Sequence, residues 1–231
     1  MMNKGKLWGV GVGPGDSELM TLKAVRLVNQ CDVIVVPDSK KRNVAFEIAK
    51  GAVPEIEEKE ILKVHMPMIR DKEKLANAHF EAAEVIGRKL DQGKRLVFLT
   101  LGDPTVYSTY YYVHKNVEKM GYECEIVPGI TSFCAAAARM GVSLSEGGDG
   151  LYIMPGSYEN MENGLEVPGT KVIMKSGKSI GNVKEILVEN KDRFSTMMIE
   201  NCGMADEKVY GNAEEIDEDA GYFSLIIVKE K

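Results

Sequence analysis

Four short segments of this 231-residue chain gather glycine, proline, acidic and hydroxyl residues directly after apolar runs. The first is Gly9-Val10-Gly11-Val12-Gly13-Pro14-Gly15-Asp16, and the second is Pro37–Asn43, which holds Asp38, Lys40, Lys41 and Arg42. The third is Leu101-Gly102-Asp103-Pro104-Thr105-Val106-Tyr107-Ser108, and the fourth is Pro128-Gly129-Ile130-Thr131-Ser132. Glycine lets a backbone take positive φ and approach a ligand closely. Open α/β sheets bind ligands beyond the carboxyl ends of their strands, so these loops are where chemistry is expected.

Each loop also has a plainer reading. A dinucleotide fingerprint needs G-x-G-x-x-G, but counting from Gly9 ends on Pro14 and from Gly11 on Asp16. Proline removes an amide donor, and an aspartate would repel a pyrophosphate. Asp38, after the second strand, is the one feature that fits a ribose-binding acid. The loop therefore reads either as a tight strand-to-helix turn or as a ligand loop. Gly-Asp-Pro is either a helix start, with Asp103 as N-cap and Pro104 at N1, or a place where a ligand lies against the strand end at Gly102. Thr131 and Ser132 either cap the alanine-rich helix that follows or also touch a ligand.

The elements that hold these loops follow from periodicity. Lys6–Val12, Asp32–Val36, Arg95–Leu101 and Glu123–Val127 read as strands. Leu19–Asn29, Val44–Gly51, Lys74–Asp91 and Thr105–Met120 read as helices. Alternating strands and helices with near-continuous apolar strands predict a mostly parallel sheet covered on both faces. Beyond the helix Ile130–Met140, strands at Leu151–Met154, Lys171–Lys175, Thr196–Glu200 and Tyr222–Lys229, with one helix near Ile180–Asn190, predict a second α/β domain with a more mixed sheet. The expected division is 1–125 and 126–231.

Composition narrows the function. Lys plus Arg number 29 against 35 Asp plus Glu, a formal charge of −6, which disfavours simple duplex binding. Cys31, Cys124, Cys134 and Cys202 form no CxxC pair and read as reduced thiols. The apolar runs are too short to span a bilayer, and the N-terminus lacks the apolar region of a signal peptide. A cytoplasmic protein without nucleic-acid or membrane partners is expected. His65, His79 and His114 are scattered with no metal-binding spacing. His79 and His114 read as partly buried or solvated helix residues. His65 reads as a plain loop histidine, with cobalt ligation the sharper alternative. Among Tyr110, Tyr111 and Tyr112 some must face the core.

Taken together, GVGPGD, LGDPTVYST and VPGITSFCAAAARMG resemble the tetrapyrrole (corrin/porphyrin) methylases. VIMKSGKS, MMIENCGMADEKVYG and YFSLIIV follow in family order, so the resemblance spans nearly the whole chain. GDPTVYSTYYYV and PGITSF are most similar to the branch that methylates the C-20 meso carbon of precorrin-2 or cobalt-factor II in cobalamin synthesis. The resemblance implies two α/β domains with a ligand cleft between them, a homodimer, and S-adenosyl-L-methionine as methyl donor. It implies cofactor contacts at Leu101, Gly102, Asp103, Val106, Tyr107, Ser108, Thr131, Ser132, Met174, Asn201 and Cys202. Gly11, Gly13, Pro14, Gly15 and Asp16 match the loop that lines the tetrapyrrole side. The many carboxylates of such a substrate call for cations; Lys40 and Arg42 are the candidates, with Lys41, Arg70 and Lys72 as possible partners, and a solvated charged run is the plainer reading of the same residues. Tyr107 or a residue of the tyrosine run could stack on the macrocycle. Lys175 departs from the family, where a small residue is common.

Methyl transfer from a sulfonium is an in-line displacement whose reactivity lies mostly in the reactants, so it calls for neither a metal site nor a catalytic nucleophile. No residue is assigned to removal of the C-20 proton. The competing readings are a sister methylase acting on another macrocycle carbon or on a protein, an NAD-dependent oxidoreductase resting on Gly9–Gly15 and Asp38, and a non-catalytic binder on the same fold.

Overall fold

The computed structural model describes residues 4–38, 43–69, 71–157 and 161–231. The chain divides into two compact units, Met1–Thr131 and Ser132–Lys231. The division falls past the 125/126 boundary expected from sequence, because the 128–131 loop packs back onto the first sheet.

The first unit alternates strands and helices. It runs β1 (Lys6–Gly11), α1 (Leu22–Gln30), β2 (Val33–Pro37), α2 (Val44–Ala52), β3 (Glu60–Val64), α3 (Lys72–Leu90), β4 (Arg95–Thr100), α4 (Tyr110–Lys119) and β5 (Glu123–Val127). The strands form one sheet of order β3-β2-β4-β1-β5, and every neighbouring pair is parallel. Parallel strands need helical crossovers that cover both faces. Val10, Ile34, Val97 and Leu99 pack with Ala24 and Val28 of α1 and Ile48 of α2 on one face. Leu7, Val35 and Phe98 pack with Ala82 and Ile86 of α3 and Tyr110 and Val113 of α4 on the other. The chain thus leaves β1 toward one face and its sheet neighbour β4 toward the other. Their carboxyl ends are a switch point of the kind where open α/β sheets bind ligands.

The second unit comprises α5 (Ser132–Met140), β6 (Leu151–Pro155), α6 (Met161–Leu165), β7 (Thr170–Met174), α7 (Ile180–Glu189), β8 (Phe194–Glu200), β9 (Lys208–Tyr210) and β10 (Ser224–Glu230). Its sheet, ordered β6-β7-β10-β8-β9, is mixed: β6 and β7 are parallel and the remaining pairs antiparallel. Met154, Leu165, Ile173, Val183, Leu187, Phe194, Met198 and Ile226 form its core. Lys171, at the start of β7, has a side chain 0% exposed. Its ammonium lies 2.9 Å from Glu230 and 4.7 Å from the centre of the Phe194 ring. A buried cation is tolerable only with such partners.

Two strands, the five-residue helix α6 and a helix start depart from the sequence expectation. β3 reads Glu-Ile-Leu-Lys-Val and is mostly exposed at the sheet edge; charged edge residues hide the apolar run that marks a strand. β9 spans three residues on the opposite edge of the second sheet, too few for a periodic signal. α4 starts at Tyr110 instead of Thr105, since Tyr107 has a left-handed backbone (φ 49°) that no helix accepts.

Edge strand β5 is held by ion pairs. Glu125 accepts from Lys23 at 2.5 Å and Lys6 at 2.9 Å, and from the Trp8 indole N–H at 3.2 Å. Lys23 first, then Lys6, hold its carboxyl down at about 2. A carboxylate whose folded value is depressed contributes stability above its ordinary value of 4.5, and that stability is lost as pH falls toward about 2. Thermal melts over this acid window should therefore show a shallower stability loss in Glu125→Gln than in the parent chain, and the parent's Trp8 fluorescence should shift in the same window.

Candidate functional site

The crevice between the β1 and β4 ends is closed by backbone. Val12 N–H donates to the Thr100 carbonyl at 2.9 Å, Gly102 N–H to the Gly13 carbonyl at 2.8 Å, and Gly13 N–H to the Gly102 carbonyl at 3.3 Å. A Cβ at Gly11 would lie 2.5 Å from the Gly102 carbonyl oxygen and 2.6 Å from Gly129 N. One at Gly129 would lie 2.1 Å from that same oxygen. One at Gly9 would lie 1.9 Å from Cε1 of Tyr110. Gly9 and Gly11 share one side of β1, because a strand repeats every two residues. The G-x-G spacing thus serves packing: Gly9 admits a tyrosine ring and Gly11 admits two neighbouring loops.

Asp103 ties two of these loops together. One carboxylate oxygen accepts from Thr105 N at 2.7 Å and from the Thr105 hydroxyl, and the other accepts from Gly129 N at 2.9 Å. The residue is 8% exposed. Asp103 therefore caps a turn and clamps the 128–131 loop; it does not cap α4. In the first loop, Asp16 accepts from Glu18 N at 2.9 Å and caps a short 3-10 turn at Ser17–Leu19. Pro14 beside it is buried and Gly15 half-buried.

Among the described residues, the buried hydroxyls of Thr100, Thr131, Ser176 and Thr196 and Nε2 of His79 have no hydrogen-bond partner. Buried hydroxyls are normally satisfied, so such orphans call for a partner. Thr100 ends β4, Thr131 closes the first unit, and Ser176 lies two residues past Met174. Among the described residues, Tyr107 (φ 49°), Lys175 (φ 56°) and Asn201 (φ 53°) are the non-glycine residues with left-handed backbone. All three follow strand ends, in the loops after β4, β7 and β8. Strained backbone collects at functional loops. Asn201 donates through its side chain to Asp206 at 2.8 Å, and burial pushes the Cys202 thiol up.

A cavity of about 140 Å³ lies at the carboxyl ends of β2 and β4 in the first unit. Pro37, Ala45, Met66, Phe98, Leu99 and Leu101 form its apolar wall, and Asn43, Thr100, Ser108, Thr109 and Tyr110 complete it. Thr100 was not singled out by the sequence reading. Its signal there is a lone hydroxyl ending an otherwise apolar strand.

Other candidates are placed differently. Lys40, Lys41, Arg42 and Arg70 lie outside the described residues. Lys72 is exposed at the start of α3, and His65 is exposed in the loop after β3. His79 (5% exposed) and His114 (9%) are both buried, which corrects the reading of them as partly buried or solvated. Burial lowers the pKa of each. Tyr110 is the core member of the tyrosine run, with its hydroxyl 3.0 Å from Nδ1 of His114. Tyr112 stacks on His79 at 5.2 Å and Tyr111 on His114 at 6.2 Å. Among the described residues no group of three His, Cys, Asp or Glu side chains is placed to hold a metal ion, and no helix is long and apolar enough to cross a membrane.

One substitution tests the packing of these loops. Gly129→Ala drives a Cβ into a carbonyl and should cost about 3 kcal/mol, at the upper end of ordinary overpacking, read by chemical denaturation.

Residues 6–217 match the model of the family described as Tetrapyrrole (Corrin/Porphyrin) Methylases. A probable cobalt-precorrin-2 C(20)-methyltransferase of Methanocaldococcus jannaschii is 39% identical over 229 residues, covering 97% of this chain and 96% of that protein. A precorrin-2 C(20)-methyltransferase of a Sinorhizobium species is 28% identical, covering 97% and 95%. A uroporphyrin-III C-methyl transferase from Thermus thermophilus, solved in complex with S-adenyl homocysteine, shares the fold with a TM-score of 0.72 at 23% identity, covering 97% of this chain and 92% of that one. On the extent of the family match and the near full-length relatives, the chain belongs to the tetrapyrrole (corrin/porphyrin) methylases.

Proposed function

We propose that this chain is an S-adenosyl-L-methionine-dependent C-methyltransferase that methylates the C-20 meso carbon of precorrin-2 or cobalt-factor II in cobalamin synthesis. The observation that carries the reading is the 39% identity, across 97% of the chain, with the M. jannaschii protein of that description. The cobalt-containing substrate is the favoured form, following that relative. The oxidoreductase alternative loses its basis, since Gly9 and Gly11 are occupied by packing against Tyr110, Gly102 and Gly129.

The residues present suit the donor. In the first unit the backbone at Leu101 and Gly102, the loop Val106–Ser108 and the unpartnered Thr131 hydroxyl are assigned to donor binding. In the second unit Ser132, Met174, Asn201 and Cys202 are assigned the same role, and the orphan Ser176 hydroxyl lies beside Met174 in sequence. Asp103 acts as a positioning residue in this reading, because both its oxygens already accept protein hydrogen bonds. Gly13, Pro14, Gly15 and Asp16 are assigned to the substrate side, and Lys40 and Arg42 to its carboxylates.

When bound, the donor supplies a methyl group on a sulfonium, whose departure leaves a neutral thioether. The S–CH3 bond breaks as the new C–C bond forms, and the meso carbon then loses its proton. The protein's task is alignment, which for ordered reactants contributes up to about 7–11 kcal/mol. The clamp at Asp103 and the glycine contacts serve that task by holding the β1, β4 and β5 loops in fixed register. The reading also carries a cytoplasmic homodimer.

Incubation with methyl-labelled donor and either metal-free or cobalt-loaded substrate tests it. Label at C-20, with faster turnover of the cobalt form, is the expected NMR result. Label at another carbon assigns a sister reaction, and no incorporation with either substrate rejects the methyltransferase reading.

A further inference from the structure

We propose that the cavity at the start of α4 is a carboxylate subsite, with the hydroxyls of Thr100, Ser108 and Thr109 as its donors and the positive end of α4 beside them. The inference rests on the methyltransferase reading, which supplies two sources of that chemistry: the side arms of the tetrapyrrole and the α-carboxylate of the methyl donor.

Three observations converge on this cavity. Thr100 lines it, is 8% exposed, and has a hydroxyl with no partner among the described residues. An unmade hydrogen bond on a buried hydroxyl is costly, so its persistence at a strand end points to a partner that arrives with the ligand. The second observation is α4 itself, ten residues long, whose first N–H, that of Tyr110, donates to the Ser108 hydroxyl at 3.2 Å. Ser108, Thr109 and Tyr110, which open this helix, line the same cavity, so its lining adds the hydroxyls of Ser108 and Thr109 to that of Thr100. A helix N-terminus carries about half a positive charge, and it suits anions. Third, no described lining residue is ionisable except Tyr110, whose hydroxyl is engaged with His114 and whose pKa burial raises.

The chemistry of the lining narrows the ligand. The described lining offers an anion neutral hydroxyls and the positive end of a helix, and offers a cation no carboxylate. A single negative charge matched by a helix end and neutral hydroxyls is the better fit. The volume of about 140 Å³ suits a short carboxylate arm, which displaces roughly two or three waters at about 30 Å³ each. Apolar walls from Phe98, Met66 and Pro37 would receive the methylene carbons of such an arm.

Thr100→Val and Thr100→Ser test the subsite. Valine removes the hydroxyl and keeps the shape, so the ligand-free protein should melt at the same temperature or higher, because an unsatisfied group is gone. Steady-state turnover with the tetrapyrrole and calorimetric titration with S-adenosylhomocysteine are then read on both variants. A rise of roughly tenfold in the tetrapyrrole KM of the valine variant, with unchanged S-adenosylhomocysteine affinity, places a substrate arm in the cavity. The same loss in S-adenosylhomocysteine affinity with unchanged tetrapyrrole KM places the donor's carboxylate there. In either case Thr100→Ser should restore most of the loss. Normal wild-type turnover with both parameters unchanged in Thr100→Val overturns the subsite and leaves the methyltransferase reading intact. No wild-type turnover overturns both.

Discussion

The first unit depends on one contact: the backbones at Gly11, Gly102 and Gly129 meet at distances that leave no room for a Cβ. The loops after β1 and β4 and the loop after β5 are thereby fixed against each other. Asp103 adds a bridge from the β4 loop to the β5 loop. A sheet's switch point is ordinarily open, whereas here the Gly13–Gly102 bridge closes its base. The buried hydroxyls of Thr100, at the end of β4, and Thr131, in the loop after β5, are left without partners among the described residues. A rigid base of this kind is what an alignment catalyst requires, since small displacements of reacting groups are expensive.

Much of the architecture was legible because burial imposes simple patterns. Val33–Val36 is apolar throughout because β2 is covered on both faces, and the expected strand Glu123–Val127 coincides with β5. β3 escaped notice because an edge strand carries charge on purpose. The start of α4 was misplaced because nothing in Thr105–Thr109 announces that Tyr107 is left-handed; Tyr is an unusual choice for that conformation. The glycine loop was legible as important and illegible in purpose. Its spacing suggests a ligand, and only the position of Tyr110 and of two loops distant in sequence shows what the missing side chains make room for. Thr100 could not be found from its neighbours, because an orphan hydroxyl is defined by partners that are absent in space.

The charge distribution fits the same rigid base. Ion pairs such as Asp32–Arg95 and Glu125 with Lys6 and Lys23 tie strands where neighbouring elements must keep register. The described lining of the cavity is free of charged side chains. An acidic protein can take an acidic ligand when local helix ends and hydroxyls, instead of net charge, set the potential.

Gly9 and Tyr110 lie 101 positions apart yet share one volume, the tyrosine ring occupying the space a methyl would need. A methyl at position 9 therefore fits only once position 110 carries a smaller side chain, and a chain small at both positions would carry a hole beside Phe98.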